Sequence, residues 1–189
     1  KYIFQYCFYL DISPLDFYMN DYMVMENKNS PFSCTILAIW GMIYVGGNKM
    51  IITFCGHSQI YDIEKVKTWL EKKIQELIIN GNEKFYLGGY GAFDRLAASV
   101  LSNIKQRYPN IELILILAYL NRVKDIYPCD SSLYPPLESV PKKLAIVKRN
   151  QWMVDQADIV ISYVLHSWGG AAKTLEYAQQ KNKKIIFFK

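Results

Sequence analysis

Arg149-Asn150-Gln151-Trp152-Met153, followed by Ala157-Asp158-Ile159-Val160-Ile161 and then by Gly169-Gly170 and Thr174-Leu175-Glu176-Tyr177-Ala178, is the stretch that decides the fold. It reads as a helix feeding a buried strand, whose carboxyl end opens through a glycine pair into a second helix. Glycine lets backbone come close to a ligand, and the first turn of a helix leaves N–H groups unpaired and partly positive, which favours an anion. Such a loop suits the phosphate of a nucleotide or sugar phosphate. A Gly-Gly pair also serves the sterics of a strand-to-helix turn with no ligand at all, so the reading needs support from elsewhere in the chain.

A second loop of the same kind supplies it. Phe85-Tyr86-Leu87 is a short apolar run leading into Gly88-Gly89-Tyr90-Gly91-Ala92-Phe93-Asp94. Behind it Phe93, Leu96, Ala97, Val100, Leu101 and Ile104 recur at the three-and-four spacing of a helix with one buried face. Asp94 then falls in the first helical turn, where its carboxylate either caps the helix or accepts hydrogen bonds from a ribose or base. A third loop lies upstream: Ile51-Ile52-Thr53-Phe54-Cys55 is a compact strand ending in Gly56-His57-Ser58, ahead of a helix carrying Ile63, Val66, Leu70, Ile74, Leu77 and Ile78.

Ile111 to Leu117 is nearly unbroken aliphatic, as expected of a strand covered on both faces, and Lys184 to Phe188 supplies one more. Strands alternating with helices imply an α/β protein with a mostly parallel sheet, right-handed crossovers and helices on both sides. The order predicts five strands, the first and fourth adjacent at the centre. Ligands of such sheets sit beyond the carboxyl ends of the strands, where the winding reverses.

Gly56-His57, Tyr86 to Asp94, Arg149 to Asp155, and Gly169-Gly170 with Thr174 and Tyr177-Ala178 together resemble the YpsA-like branch of the SLOG superfamily, in order and spacing, over about residues 50 to 189. The resemblance implies a Rossmann-like three-layer sandwich that binds a nucleotide or an ADP-ribose-like ligand, with no settled enzymatic activity and no required cofactor. The expected ligand contacts are Gly56, His57 and Ser58 in the first loop, and Gly88, Gly89, Gly91 and Asp94 in the second. Arg149, Gly169, Gly170 and Thr174 complete the set.

The chain departs from the family pattern at two places. The first motif usually runs Gly-His-Arg, and Ser58 stands where the arginine would be, which removes a bidentate phosphate clamp. The last loop usually runs Gly-Gly-Thr, and here Ala171-Ala172-Lys173 precede Thr174; Lys173 is a candidate for the lost positive charge. The superfamily also contains the Lonely Guy phosphoribohydrolases, whose Arg-x-x-x-Met helix and Pro-Gly-Gly-x-Gly-Thr-x-x-Glu loop are matched at Arg149, Met153, Gly169, Gly170 and Glu176. That resemblance implies the alternative of N-glycosidic cleavage of a nucleoside monophosphate, with Glu176 assisting and Arg149 holding an anion. Trp168 in place of the proline, and Ala172-Lys173 in place of Gly-Thr, leave the signature incomplete.

Other chemistry is argued down. Cys7, Cys34, Cys55 and Cys129 form no Cys-x-x-Cys and have no histidine near them except His57, so no metal site is expected. Such thiols fit a reducing cytosol. His57 and His166 fall in candidate ligand loops, whereas Ser58 and Ser167 have no nucleophile elbow around them. Tyr127 to Pro141, broken by Pro128, Pro135, Pro136 and Pro141, is expected to lack regular structure and to hang over the sheet edge as a lid, with Tyr127 and Tyr134 as candidate base contacts.

At 189 residues, 51% of them hydrophobic, the chain can bury a sizeable core. A net charge of +5 suits an anionic ligand. No recognition helix, aromatic RNA platform or zinc finger is evident, which argues against nucleic acid as the partner; whether protomers pair is left open. Residues 1 to 49 hold eleven aromatic residues and no periodicity. Their apolar run, Cys34 to Val45, is about half the roughly 20 residues needed to cross a bilayer, so no membrane association is expected. Gly46-Gly47-Asn48-Lys49-Met50 can be encoded as a bacterial ribosome-binding site, spacer and start codon, and the expectation is that the working domain begins at Met50 and runs to Lys189. The reading as a whole is a cytoplasmic Rossmann-like domain acting as a nucleotide sensor or carrier.

Overall fold

Ile51-Ile52-Thr53-Phe54-Cys55-Gly56 forms the central strand β1 (Ile51–Gly56) of a computed structural model that describes residues 50–81, 83–120 and 128–189. The expectations for residues 1–49 and for Tyr127 lie outside the described residues. Side chains alternate across a strand, and β1 uses both faces for burial: Ile52 and Phe54 enter one apolar cluster, Cys55 the other. A strand covered on both sides belongs at the middle of a sheet.

The chain continues through α1 (Ile63–Ile79), β2 (Lys84–Leu87), α2 (Ala92–Lys105), β3 (Glu112–Ile116), β4 (Ser131–Leu133), α3 (Ala145–Gln156), β5 (Ile159–Tyr163), α4 (Gly169–Gln180) and β6 (Lys184–Phe187). All pairings are parallel, in the order β4-β3-β2-β1-β5-β6. Helices α1 and α2 cover one face, burying Val66, Leu70, Ile74, Phe93, Ala97 and Leu101 against Ile52, Phe85, Leu113 and Ile161. On the other face Met153 and Val154 of α3 and Ala178 of α4 meet Tyr86, Ile114 and Val160. The fold is the expected Rossmann-like α/β sandwich. Ile63, at the start of α1, is exposed.

Among the described residues the sheet has six strands rather than five. The addition, β4, lies inside the segment expected to be irregular. Ser131-Ser132-Leu133 carries no apolar alternation to betray it, and its pairing is fixed by Asp130 just before it. The Asp130 amide donates to the Leu113 carbonyl (2.8 Å), and its carboxylate accepts from the Leu113 amide (2.8 Å) and from Lys105 Nζ (2.5 Å).

Winding runs from β1 outward through β2 and β3 to β4, then returns to the other side of β1 for β5 and β6. The reversal therefore lies between β1 and β5, whose carboxyl ends are level: Gly56 sits opposite Tyr163. A crevice opens beyond the strands at such a point.

Candidate functional site

That crevice is a cavity of about 550 Å³, within the usual range of small-molecule sites. The loop after β1 contributes Gly56, His57 and Ser58; the loop after β2 contributes Gly88, Gly91 and Asp94; Arg149 comes from α3, and Gly169, Gly170 and Thr174 from the start of α4. The three glycine-bearing strand ends thus converge as the sequence implies. Two expected residues do not join them. Gly89 is not on the cavity wall, and Glu176 is exposed on α4, where it accepts a hydrogen bond from Gln180 (3.4 Å). Lys173 is also exposed and off the wall. The lid expected of residues 128–141 does not line the cavity either. That stretch is drawn to the β3 edge by strand pairing and buries Leu137.

The glycines have different reasons to be glycine. A Cβ on Gly56 would lie 2.7 Å from Cβ of Phe93 and nearer still to its ring. A Cβ on Gly88 would meet Arg149 Nη1 at 2.6 Å and Asp94 Oδ2 at 2.7 Å. Both are packing requirements. Gly169 has φ +89°, the left-handed region that favours glycine. Gly170 has neither constraint: no heavy atom lies within 4 Å of a Cβ built there.

The helix starts differ in the same way. At α1 the Asp62 carboxylate accepts from the Lys65 amide (3.2 Å), so that amino end is capped by the chain itself. At α2 the Asp94 carboxylate accepts from the Tyr90 amide (3.1 Å) and is drawn on by the amides of Gly88 and Gly89. Asp94 is half-buried, and desolvation pushes its carboxyl above the ordinary carboxylate range against the pull of the Arg149 guanidinium and those amides. The start of α4, at Trp168-Gly169-Gly170, has no side-chain cap. The start of α2 has no side-chain cap either, but its first amide, that of Ala92, donates to the Ser58 carbonyl (3.2 Å).

Arg149 is 1% exposed. Its Nη1 donates to the carbonyl of Gly88 and to that of Ile116 (3.0 Å), and its guanidinium lies over the Tyr90 ring at 5.2 Å. It therefore ties α3 to the carboxyl ends of β2 and β3, and it forms part of the floor rather than a surface cation. Asn150, next to it, donates to Thr174 Oγ1 (3.2 Å), which in turn donates to the Gly170 carbonyl (2.9 Å) and fixes the first turn of α4.

His57 Nε2 accepts from the backbone N–H of Leu165 (2.9 Å) and of His166 (3.4 Å). An imidazole nitrogen that accepts is unprotonated, so His57 is neutral with its proton on Nδ1. Burial and the neighbouring His166 both hold its pKa below the ordinary 6.5. The His57 ring stacks on His166 (centroids 3.7 Å apart, 23° between planes), and His166 stacks on Trp168 (3.8 Å, 12°). Trp168 and His166 both line the cavity. The sequence points to His166 as a phosphate contact or proton carrier in a ligand loop and to Trp168 only as the residue replacing a proline; the place of Trp168 ahead of a glycine pair was the available signal.

Cys55 also reaches the cavity. Its Sγ donates to the Ala171 carbonyl (3.1 Å), and burial, with the Asp94 carboxylate, pushes the thiol up to about 12. A thiol that stays protonated is a poor nucleophile and a poor metal ligand. Among the described residues no cluster of three or more histidine, cysteine or carboxylate side chains is placed to hold a metal ion, and no helix is long and apolar enough to cross a membrane.

No family model matches the chain, and no curated protein matches it in sequence. Solved structures do match in fold. The chain is similar to DNA processing protein A from Helicobacter pylori, a structure that describes a single-stranded DNA binding mode, with TM-score 0.55 and 17% identity over 74% of this chain and 65% of that one. DNA processing protein A from Streptococcus pneumoniae matches with TM-score 0.50 and 15% identity, over 73% of this chain and 50% of that one. A Moco carrier protein from Chlamydomonas rheinhardtii matches with TM-score 0.45 and 16% identity, over 75% and 77%. The chain therefore spans less than two thirds of the two DNA processing proteins. At these identities the likeness is one of fold, and with DNA processing protein A the chain shares an α/β architecture.

Proposed function

We propose that this chain is a nucleotide-binding domain of the SLOG type, a sensor or carrier that receives a nucleotide or an ADP-ribose-like ligand in the cytosol. One observation carries the reading: the amino end of α4 faces the cavity without a side-chain cap, next to a glycine that neither packing nor backbone strain demands. A phosphate accepting from the first-turn amides of α4 satisfies those donors and is favoured by the helix dipole. It also accounts for Gly170, since a side chain there would fill the phosphate's place. The ribose falls to the neighbouring wall of Asp94, Ser58 and Asn150. The fold shared with DNA processing protein A supports the assignment to the superfamily; the YpsA-like branch rests on the motif resemblance.

The hydrolase alternative has less behind it. Its carboxylate, Glu176, is exposed and away from the cavity, and Arg149 is engaged with two backbone carbonyls. Binding without turnover is the expectation. A thermal-shift panel of AMP, GMP, ADP-ribose, ribose 5-phosphate and a short oligonucleotide tests the reading. Ligand at about 100 times its Kd adds roughly 2.7 kcal/mol of stability. Release of free base from a nucleoside monophosphate favours the hydrolase, and no shift with any of AMP, GMP or ADP-ribose overturns the reading.

A further inference from the structure

Three stacked rings line the cavity. The inner ring, His57, is pinned by the Leu165 and His166 amides, the middle ring, His166, is tied by Nδ1 to the Trp168 carbonyl (3.1 Å), and the outer ring, Trp168, is 71% exposed. The indole thus has one face covered by an imidazole while most of its surface remains open. An aromatic held in this way is already immobilised, so stacking a further ring on it loses little side-chain freedom.

Position adds to geometry. Trp168 is the residue immediately before Gly169-Gly170, so its indole flanks the same uncapped helix start to which the phosphate is assigned. In a nucleotide the base and the phosphate are separated by one ribose, and a platform beside an amide cradle matches that layout. The other exposed aromatic of the cavity, Tyr61, is 69% exposed, comes from the loop before α1 and stacks on no ring among the described residues. It offers a contact without pre-organisation.

We infer that Trp168, backed by His166 and His57, is the base-stacking platform of this site, and that the ligand is a nucleotide whose planar base continues the stack while its phosphate sits on the α4 amides. The inference rests on the nucleotide reading of the cavity and goes beyond it by placing the base. It makes affinity depend on the presence of a base, and tolerant of which base, because every base offers a π face.

Equilibrium titration of the full chain with AMP, GMP and ribose 5-phosphate, in the wild type and in Trp168→Ala, Trp168→Phe and Tyr61→Ala, tests it. Trp168→Ala should weaken AMP and GMP roughly five- to a hundredfold, leave ribose 5-phosphate within twofold, and leave the unliganded melting temperature unchanged. Trp168→Phe should recover most of the loss, and Tyr61→Ala should lose less than Trp168→Ala. If AMP binds the wild type and Trp168→Ala equally, the platform is refuted while the nucleotide reading stands. If the mononucleotides and ribose 5-phosphate fail to bind the wild type and ADP-ribose fails with them, both fall together. Tight binding of an oligo(dA) with none of AMP overturns the mononucleotide assignment.

Discussion

Two glycines on the rim of one cavity should respond to the same methyl group with opposite signs. In Gly56→Ala the new Cβ is driven against Phe93, 2.7 Å from its Cβ, and the ring has nowhere to go. Phe93 is fully buried, stacked on Tyr163 at 5.5 Å and edge-on to Phe54 at 6.4 Å. Rotation of χ1 moves the ring but not Cβ, so relief requires α2 to shift off the sheet. Overpacking of a filled core costs about 1–3 kcal/mol, and a contact that no rotamer relieves belongs at the upper end, about 3 kcal/mol. In Gly170→Ala nothing lies within 4 Å of the new methyl and the backbone is not left-handed. The unfolded chain loses freedom instead, which stabilises by about 0.4–1 kcal/mol. Urea denaturation of both variants gives the two free energies, and titration with AMP gives the reverse ranking, since Gly170→Ala places its methyl where the phosphate is assigned. A Phe93→Ala background should relieve Gly56→Ala only in part, because Cβ of residue 93 remains. A Gly56→Ala variant within about 0.5 kcal/mol of wild type would falsify the packing argument, and a Gly170→Ala variant that binds AMP normally removes the reason given for that glycine.

Other consequences are testable by similar means. Arg149→Met should destabilise by about 3–5 kcal/mol in urea denaturation, since the Gly88 and Ile116 carbonyls lose their buried donor and Asp94 loses its counter-charge; a loss under about 1 kcal/mol refutes its structural role. Because the pKa of His57 is held below 6.5 in the folded chain, the unfolded chain binds the proton more readily. Its contribution to stability should therefore be full above pH 6.5 and should fall as pH drops through the folded pKa, an effect that His57→Gln removes from the pH profile. Cys55, with its thiol raised to about 12, should resist iodoacetamide at pH 8 in the folded protein and react on unfolding, as read peptide by peptide by mass spectrometry. Glu176→Ala should leave AMP affinity unchanged; loss of binding or of base release in that variant would revive the hydrolase alternative.

Most of the architecture was legible in the sequence because it depends on local periodicity. Short apolar runs, that of Ile111 to Leu117 nearly unbroken aliphatic, gave β1, β3 and β5, the three-and-four spacing gave α1 and α2, and glycines at the strand ends gave the loops. What escaped rests on long-range contacts at one sheet edge. Strand β4 is three polar-leaning residues kept in place by Asp130, and a lone carboxylate anchoring an edge leaves no pattern to read. The lid expectation failed for the same reason, since a proline-rich stretch shows that a helix is forbidden but not which edge the chain will join.

The sequence alone determined that three glycine loops stand at the carboxyl ends of parallel strands, since strand direction and crossover hand follow from the order of elements. Tertiary structure decided what each loop is for. Only in three dimensions does Gly56 meet Phe93 and Gly88 meet Arg149, so that their small size serves packing, while Gly170 faces open space. Only there do His57, His166 and Trp168, from two loops 109 residues apart, become one stack. Residue type and spacing report the conformations a segment can adopt. Which side chain fills the space beside a glycine is set by elements distant in the chain, and that contact separates a structural glycine from one that leaves room for a ligand.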